Sequence, residues 1–144
     1  MKNSIIVIDL DGVLADRSHR KNLFDRDLVA WNAACSGDKP IWPMIRLARA
    51  LMNSGQRTEF WTGRPESARA ATIEWLFQHG LSAQIPLRMR GAGDERPSLA
   101  LKRMWLKESV VAGRPVAFAF EDRPEIVTMY RAEGVTCAAM EPEA

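Results

Sequence analysis

Residues 4–13 have the sequence Ser4-Ile5-Ile6-Val7-Ile8-Asp9-Leu10-Asp11-Gly12-Val13. The continuous apolar, β-branched run in this stretch predicts a strand, Ser4–Asp9, that is buried on both faces. Such strands belong to parallel sheets, whose connections usually contain a helix. Asp9 and Asp11 come at the end of the strand, and Gly12 allows a tight turn beside them. The stretch therefore predicts an α/β fold with two carboxylates at one edge of its sheet.

The rest of the chain alternates apolar runs with helical segments, as expected for right-handed crossovers between parallel strands. The predicted elements are strands at Gln56–Trp61, Ala83–Leu87, Pro115–Phe120 and Val135–Ala139 and helices at Pro43–Asn53, Pro65–His79, Pro97–Glu108 and Pro124–Glu133. Pro86 interrupts the third strand, which favours an edge position. Residues 15–40 lack periodicity, and we interpret them as a short helical insert over the site. We expect one Rossmann-like domain, residues 1–144, with a parallel sheet flanked by helices.

Composition points to an ordinary globular protein of one domain. The chain has 144 residues, of which 47% are hydrophobic, as is usual for such a domain. The apolar run near the start is too short for a membrane span or a signal segment. Cys35 and Cys137 fit no metal spacing, and two lone thiols favour a reducing compartment. We therefore expect a cytoplasmic protein that does not contact a membrane; the sequence does not reveal its oligomeric state.

The net charge is +2, and most of the 20 basic residues are arginine. The planar guanidinium matches the oxygens of a phosphate, so the arginine excess is compatible with a phosphorylated ligand. A genome that favours arginine codons explains the same excess equally well. Charge alone therefore leaves the nature of the ligand open.

Further polar residues follow other strands of the predicted sheet. Residues 61–64, Trp61-Thr62-Gly63-Arg64, end the second strand, and residues 121–123, Glu121-Asp122-Arg123, end the fourth. Lys102 lies on the helix before that fourth strand. Because the carboxyl ends of parallel strands meet at one edge, we expect these residues to converge with Asp9 and Asp11.

The converging residue types suit phosphoryl transfer. One carboxylate can attack phosphorus, while a second can protonate the leaving oxygen and later activate water. Lys102 can supply positive charge, Thr62 can hydrogen-bond phosphate oxygens, and Gly63 lets the backbone turn beside the ligand. Crowded carboxylates repel an anionic substrate, so a cation is needed, and Mg²⁺ accepts an all-oxygen set of ligands. The predicted metal-site residues are Asp9, Asp11, Asp122 and, through water or by orienting a neighbour, Glu121.

The ordered set of motifs resembles the haloacid dehalogenase (HAD) superfamily of phosphatases, over nearly the whole chain from Ile5 to Ala139. The resemblance implies a HAD-like domain with the family's minimal cap and an Mg²⁺-dependent reaction. Phosphate monoesters would be hydrolysed through an aspartyl-phosphate intermediate. The implied catalytic residues are Asp9, the nucleophile, Asp11, Thr62 and Lys102.

A second set of residues is similar to the phosphatase domain of bacteriophage polynucleotide kinase, a family that removes 3′-phosphates from nucleic-acid ends and nucleotides. The set comprises Arg20, Trp31, Thr62-Gly63-Arg64, Gly93-Asp94-x-Arg96, Lys102, Glu121-Asp122-Arg123-Pro124, Met129-Tyr130-Arg131 and Gly134-Val135. The similarity implies that Arg20, Gly63 and Arg64 bind substrate. The chain differs from the family pattern at Glu121, where aspartate is usual, and at Ser98, where the family has an acid.

Simpler interpretations of several residues remain open. Asp9 and Asp11 also suit a turn after a strand, and Trp31 also suits a core. The residues that also suit a solvated surface are Arg20, within the polar run 17–21, Arg64, Lys102 and the arginines of Arg88–Arg96, the last of which equally suit a phosphate backbone. Two other functions also remain open, namely a phosphatase for a 5′-nucleotide or small metabolite and a non-catalytic phosphate-binding module.

Overall fold

The structure is a computed structural model that describes residues 3–24 and 26–141. The predicted domain, residues 1–144, therefore extends past the described residues at both ends. The strands are β1 (Ile5–Ile8), β2 (Ala15–Asp16), β3 (Lys39–Pro40), β4 (Thr58–Pro65), β5 (Leu87–Arg90), β6 (Val116–Glu121) and β7 (Thr136–Ala139). The helices are α1 (Leu28–Ala33), α2 (Trp42–Asn53), α3 (Arg69–Gln78), α4 (Ser98–Val111) and α5 (Pro124–Ala132).

Five strands form a parallel sheet in the order β5-β4-β1-β6-β7, with β1 at its centre. Side chains alternate across β1, so that Val7 packs with α4 and α5 on one face and Ile8 packs with α2 and α3 on the other. Helices thus cover both faces of the sheet, and both faces of β1 are buried. The predicted α/β fold class is confirmed.

Two strand boundaries differ by four residues from the sequence prediction, namely the start of β5 and the end of β4. The edge strand was expected at Ala83–Leu87 but begins at Leu87, because Ala83 and Gln84 lie in a turn and Pro86 has no N–H for the sheet. The carbonyl of Pro86 still accepts a hydrogen bond from the Phe60 amide, at 2.9 Å. The predicted edge position of this strand is correct.

Strand β4 runs four residues past the predicted end at Trp61, because pairing with β5 resumes after an irregularity, at Pro65 and Arg90. The helix expected at Pro65–His79 therefore starts later. A 3-10 turn, Glu66–Ala68, precedes α3. This extension places Thr62, Gly63 and Arg64 inside a strand rather than in a loop.

Residues 15–40 form a small insert, which we call the cap insert. It contains the antiparallel pair β2–β3, a 3-10 helix at Ser18–Leu23, α1, and a second 3-10 helix at Ala34–Gly37. The predicted helical character is correct, whereas the two-residue strands were missed because they are too short to show a period. Phe24, Leu28 and Trp31 of the insert line the same cavity as Asp9.

Cys35 and Cys137 are both buried and free. Among the described ranges, none of the helices has the length and apolar character that crossing a bilayer requires.

Candidate active site

Asp9 lies at the carboxyl end of β1, where its amide donates to the Phe120 carbonyl at 3.1 Å. Its carboxylate is buried, with Oδ1 3.1 Å from Nζ of Lys102. Lys102 reaches it from the first half of α4 and also binds Oε2 of Glu121 at 2.6 Å. The predicted convergence of β1, α4 and the end of β6 is therefore present in the fold.

Burial works against the charge of Lys102, yet Asp9 and Glu121 together raise its pKa above the ordinary value. The ammonium group is thus permanently charged. With 2% of its surface exposed, Lys102 is not a solvated surface residue.

The loop after β1 is tight because the amides of Val13, Leu14 and Ala15 all donate to the Leu10 carbonyl. Within it, Gly12 has φ +79°, a conformation that other residues rarely adopt. A Cβ atom at Gly12 would overlap Oδ2 of Asp122. Glycine is therefore needed here for the Asp122 carboxylate to approach the loop that carries Asp11.

Three carboxylates form a buried acidic cluster: the ligand oxygens of Asp9, Glu121 and Asp122 lie within 4.8 Å of one another. Burial first, and the charge of Glu121 second, raise the pKa of Asp9 to about 7 despite the neighbouring Lys102. Burial and Asp9 likewise raise the pKa of Asp122. Burial and mutual repulsion therefore both oppose full ionisation of the cluster.

The acidic cluster has the chemistry that an Mg²⁺ site needs. Oδ1 of Asp122 is buried and has no hydrogen-bond partner, so it is free to accept a cation. Glu121 is committed within the protein, because its Oε1 accepts the amides of Asp122 and Arg123 at 3.2 and 3.3 Å. The oxygens of Asp9 and Asp122 are thus those best placed to hold a metal ion, and carboxylates are preferred ligands of Mg²⁺.

Asp11 has a different environment from Asp9. Its Oδ1 lies 2.6 Å from Nη2 of Arg20 and 2.7 Å from Nη2 of Arg64. Burial opposes ionisation of Asp11, but Arg64, followed by Arg20 and Arg17, lowers its pKa to about 2. Asp11 is therefore held as a carboxylate and stands outside the acidic cluster; its predicted role as a metal ligand stays a prediction.

Asp38 binds the same two arginines and was missed in the sequence analysis. Its Oδ2 lies 2.7 Å from Nη2 of Arg20 and 3.0 Å from Nη2 of Arg64, and its side chain is fully buried. Nε1 of Trp75 donates to the Asp38 carbonyl at 2.8 Å, which ties the cap insert to α3. An aspartate after Gly37 suggests only a turn, so no local signal distinguishes it.

Asp11, Arg20, Asp38 and Arg64 thus form a buried network of two carboxylates and two guanidinium groups. The remaining terminal nitrogens are also engaged: Nη1 of Arg20 donates to the Trp31 carbonyl at 3.1 Å, and Nη1 of Arg64 donates to Oγ1 of Thr72 at 3.0 Å. The solvated-surface interpretation of both arginines is therefore wrong. Arg64 lines the cavity of the site, whereas Arg20 lies behind Asp11 and Trp31.

Thr62 is fully buried, and its hydroxyl accepts the amide of Arg64 at 3.2 Å. At Gly63, an added Cβ would come within 2.5 Å of Oγ of Ser98. Arg90 holds this contact together, because its Nε donates to the Gly63 carbonyl at 3.0 Å and its Nη2 donates to Ser98 Oγ at 3.3 Å. The absence of a side chain at Gly63 therefore lets the start of α4 pack against the end of β4.

The arginines of the stretch Arg88–Arg96 are largely engaged within the protein. Arg88 pairs with Glu108 at 2.8 Å, and Arg96, half exposed, pairs with Asp94 at 2.6 Å. Arg90 donates to backbone carbonyls of the same loop. The stretch is therefore an internally bonded loop, two of whose arginines, Arg90 and Arg96, line the cavity.

The cavity above Asp9 has a volume of about 820 Å³. Its floor holds Asp9, Asp11 and Lys102. One wall comes from the cap insert and includes half-exposed Phe24, which meets Trp31 edge to face at 5.2 Å between ring centroids. A cavity of this size accommodates a phosphorylated small molecule or the end of a polymer.

Comparison with known proteins agrees with this arrangement. The family model described as the polynucleotide kinase PNKP phosphatase domain matches residues 3–143. The chain belongs to this family. It is therefore a phosphatase of the HAD superfamily, and both of those predictions are confirmed. No curated protein sequence matches the chain.

Solved structures show the same fold. The structure titled as the Pnkp1/Rnl/Hen1 complex matches with a TM-score of 0.80 and 22% identity, over 99% of this chain and 47% of that one. A structure titled as the Pnkp1/Rnl/Hen1 RNA repair complex matches with a TM-score of 0.77 and 23% identity, over 96% of this chain and 42% of that one. The class C acid phosphatase of Bacillus anthracis with tungstate bound matches with a TM-score of 0.73 and 16% identity, over 96% of this chain and 66% of that one. This phosphatase domain thus spans about half the length of the first structures that it resembles.

Asp38→Asn tests the buried network, because it keeps the side-chain shape but removes a charge that Arg20 and Arg64 share. Breaking a buried ion pair on one side typically costs about 3–5 kcal/mol, so we expect a loss of that order in the free energy of unfolding. Urea unfolding followed by tryptophan fluorescence measures the loss. The matched control is Glu66→Gln, which breaks the exposed pair with Arg69 and should change stability little. Equal unfolding midpoints for the two variants would contradict a stabilising role for Asp38.

Proposed function

We propose that this phosphatase hydrolyses phosphate monoesters through an aspartyl-phosphate on Asp9 with the help of Mg²⁺, and that its substrate is the 3′-phosphate of a nucleic-acid end or nucleotide. The observation that carries the proposal is the Asp9 carboxylate, 3.1 Å from the buried ammonium group of Lys102 on the floor of the cavity. This buried ion pair favours a catalytic role for Asp9 over the alternative that Asp9 only forms a turn after β1, because a turn needs no buried lysine.

In the first half-reaction, an Asp9 oxygen attacks phosphorus and the bond from phosphorus to the leaving oxygen breaks. Asp11 gives its proton to that oxygen, which leaves as a hydroxyl group. Lys102 holds the nucleophile in place and offsets negative charge that develops on the phosphoryl group.

Asp11 must take up a proton before it can act as an acid, because Arg64 and Arg20 hold it ionised in the free protein. The entry of a phosphate dianion adds negative charge beside Asp11 and so raises its pKa. In the second half-reaction, ionised Asp11 takes a proton from water, the water oxygen attacks phosphorus, and the bond to Asp9 breaks. Asp11 then holds the proton again, so the cycle is balanced.

Asp9 and Asp122 would hold Mg²⁺, while Glu121 orients Lys102 and the backbone of Asp122. The bound cation would offset the charge of the cluster and of the phosphate, which otherwise repel each other. A cation also favours ionised Asp9, whose pKa lies near 7 without one. Thr62 remains proposed as a catalytic residue that shapes the end of β4, beside Gly63 and Arg64 on the substrate side.

The cap insert supports a substrate with a base or sugar next to its phosphate. Phe24 is 47% exposed and Leu28 is 56% exposed, although both line the cavity. Trp31 packs against Phe24, and Asn32 adds a polar group to the same wall. Aromatic and apolar faces of this kind stack on nucleobases without strict sequence preference.

The family and the solved Pnkp1 structures favour a nucleic-acid end over other phosphates. One of those structures is described as an RNA repair complex. The matched chain in it is more than twice as long as this one, since the match covers 42% of it. The proposal therefore takes the 3′-phosphate of a nucleic-acid end as the substrate and the cytoplasm as the location.

Asp9→Asn should abolish turnover of an aryl phosphate without unfolding the protein, because it keeps the side-chain shape but removes the attacking oxygen anion. Asp11→Asn should lower the rate by about 10²–10⁴-fold, as expected for a general acid and base. Beryllium fluoride, a mimic of an acyl phosphate, should bind the wild type but not Asp9→Asn in a calorimetric titration. Glu74→Gln, on the exposed face of α3, is the control. Full activity of purified, folded Asp9→Asn would exclude the covalent mechanism.

Asp122→Ala should raise the Mg²⁺ concentration that gives half-maximal activity by about 10–100-fold or more, because even indirect partners of metal sites contribute that much. EDTA should silence the wild type, and Mg²⁺ should restore it. The melting temperature provides a second readout, since Mg²⁺ should stabilise the wild type more than Asp122→Ala. Activity that survives complete chelation, or that Zn²⁺ alone restores, would contradict an Mg²⁺ site.

Initial rates on matched 3′- and 5′-phosphorylated oligonucleotides and mononucleotides test the substrate. We expect a higher kcat/KM for the 3′-phosphate, and we expect Arg64→Ala and Arg20→Ala to weaken that activity. Longer oligonucleotides should gain affinity only at low salt if basic residues around the cavity contact the backbone. A preference for 5′-mononucleotides, with no activity on 3′-ends, would instead place the enzyme in nucleotide metabolism.

A further inference from the structure

Arg17, an arginine of the cavity wall, has a buried side-chain nitrogen without a hydrogen-bond partner. Within residues 3–24 and 26–141, three buried side-chain atoms have no hydrogen-bond partner: Nη1 of Arg17, Oδ1 of Asp122 and Oη of Tyr130. A buried N–H without an acceptor is unfavourable, and the penalty is larger for a charged group. The Arg17 nitrogen is therefore a candidate for binding a ligand oxygen.

Local structure explains why Arg17 faces the site. Oδ1 of Asp16 accepts the amide of Ser18 at 2.8 Å, which starts the 3-10 helix Ser18–Leu23 immediately after Arg17. The Arg20 amide donates to the Arg17 carbonyl at 3.0 Å. Residues three apart share one face of such a turn. Both arginines therefore reach buried carboxylates, Arg20 at Asp11 and Arg17 at Asp122.

The contacts of Arg17 place it between the acidic cluster and the cavity. Nη2 of Arg17 lies 3.3 Å from Oδ2 of Asp122, and the side chain, 30% exposed, lines the cavity that also contains Asp9. Arg17 thus lines the same cavity as Asp9, Asp11 and Lys102. A phosphoryl group that reached Asp9 would therefore have Arg17 on one side and Lys102 on another.

The two arginines that sequence similarity relates to substrate have less to offer a phosphate. Every side-chain nitrogen of Arg20 and Arg64 has at least one protein acceptor: Asp11, Asp38, the Trp31 carbonyl or the Thr72 hydroxyl. To bind a phosphate they must share or release these bonds inside a fully buried network. Arg17 has no such requirement.

We propose that Arg17 binds the phosphoryl group of the substrate, with Nη2 held by Asp122 and Nη1 donating to a phosphate oxygen. The inference rests on the proposed function, because it takes the cavity above Asp9 as the phosphatase site. Charge-assisted bonds from a guanidinium group to phosphate are strong and directional, which suits a residue that must orient phosphorus toward Asp9. No motif of the sequence marks Arg17.

A purely positioning role makes a different prediction. If Arg17 served only to orient Asp122, its loss would weaken Mg²⁺ binding. If it binds phosphate, its loss removes a positive charge next to the proposed metal ligands and so leaves Mg²⁺ affinity equal to or higher than that of the wild type, while phosphate binding weakens. Separate measurements of Mg²⁺ affinity and phosphate affinity therefore distinguish a residue that orients Asp122 from one that binds phosphate.

The test compares Arg17→Gln with the wild type and with Lys21→Gln, which removes the same charge from an exposed position on the 3-10 helix that follows Arg17. Calorimetric titration of inorganic phosphate at saturating Mg²⁺ gives the phosphate affinity, and the Mg²⁺-dependent melting temperature without phosphate reports metal binding. We expect the phosphate Kd to rise about 10–100-fold in Arg17→Gln, the range of a lost charged hydrogen bond. The phosphate Kd of Lys21→Gln should stay at the wild-type value.

A phosphate Kd of Arg17→Gln that equals the wild-type value at saturating Mg²⁺ would overturn the inference, even if phosphate binding were weaker at lower Mg²⁺ concentrations. Arg17→Lys, which keeps the charge but loses the planar fork, should fall between Arg17→Gln and the wild type. If the wild type itself neither binds phosphate with Mg²⁺ nor hydrolyses an aryl phosphate, the proposed function fails, and the inference fails with it.

Discussion

Burial of negative charge at the carboxyl edge of the sheet is the constraint on which the rest of this structure depends. The buried acids are Asp9, Asp11, Asp38, Glu121 and Asp122. Isolated carboxylates are expensive to remove from water, so each needs a cation, hydrogen bonds or protonation. Four basic side chains form ion pairs with these carboxylates: Lys102 on α4, Arg64 on β4, and Arg17 and Arg20 in the cap insert. These ion pairs at the edge of the sheet therefore connect α4, β4 and the cap insert to the strand ends that carry the acids.

The charges divide into two groups with different consequences. Asp11 and Asp38 share two guanidinium groups, so the charges on that side are balanced, and Asp11 is held ionised. In the acidic cluster, burial and the charge of Glu121 raise the pKa of Asp9 to about 7 despite Lys102, and one buried oxygen of Asp122 has no hydrogen-bond partner. The buried network of Asp11, Asp38 and the two arginines holds the site together. The acidic cluster has the perturbed pKa values and the unpartnered oxygen that suit cation binding and catalysis.

The cap insert is part of this charge balance rather than a separate cover. It contributes Arg20 and Asp38 to the buried network, and Trp75 of α3 anchors it through the Asp38 carbonyl. The same insert carries the exposed ring of Phe24 to the cavity wall. Removal of the insert would therefore take away Arg20, leave Arg64 as the ion-pair partner of Asp11, and open the cavity. This arrangement couples substrate contacts to the state of a proposed catalytic acid.

The sequence by itself determined the fold class and its reactive edge. The apolar run of β1, the glycine after Asp11 and the polar residues at the ends of β4 and β6 predicted one parallel sheet, the edge where those residues meet, and the family. Those features are local, because strand and helix periods depend on neighbours along the chain. Only the tertiary structure decided the partner of each charge. Arg64 meets Asp11 across 53 residues of sequence, Asp38 looked like a turn residue, and Arg17 looked like surface. Ion pairing of buried groups depends on distances between remote segments and on exclusion of water, neither of which a local pattern contains.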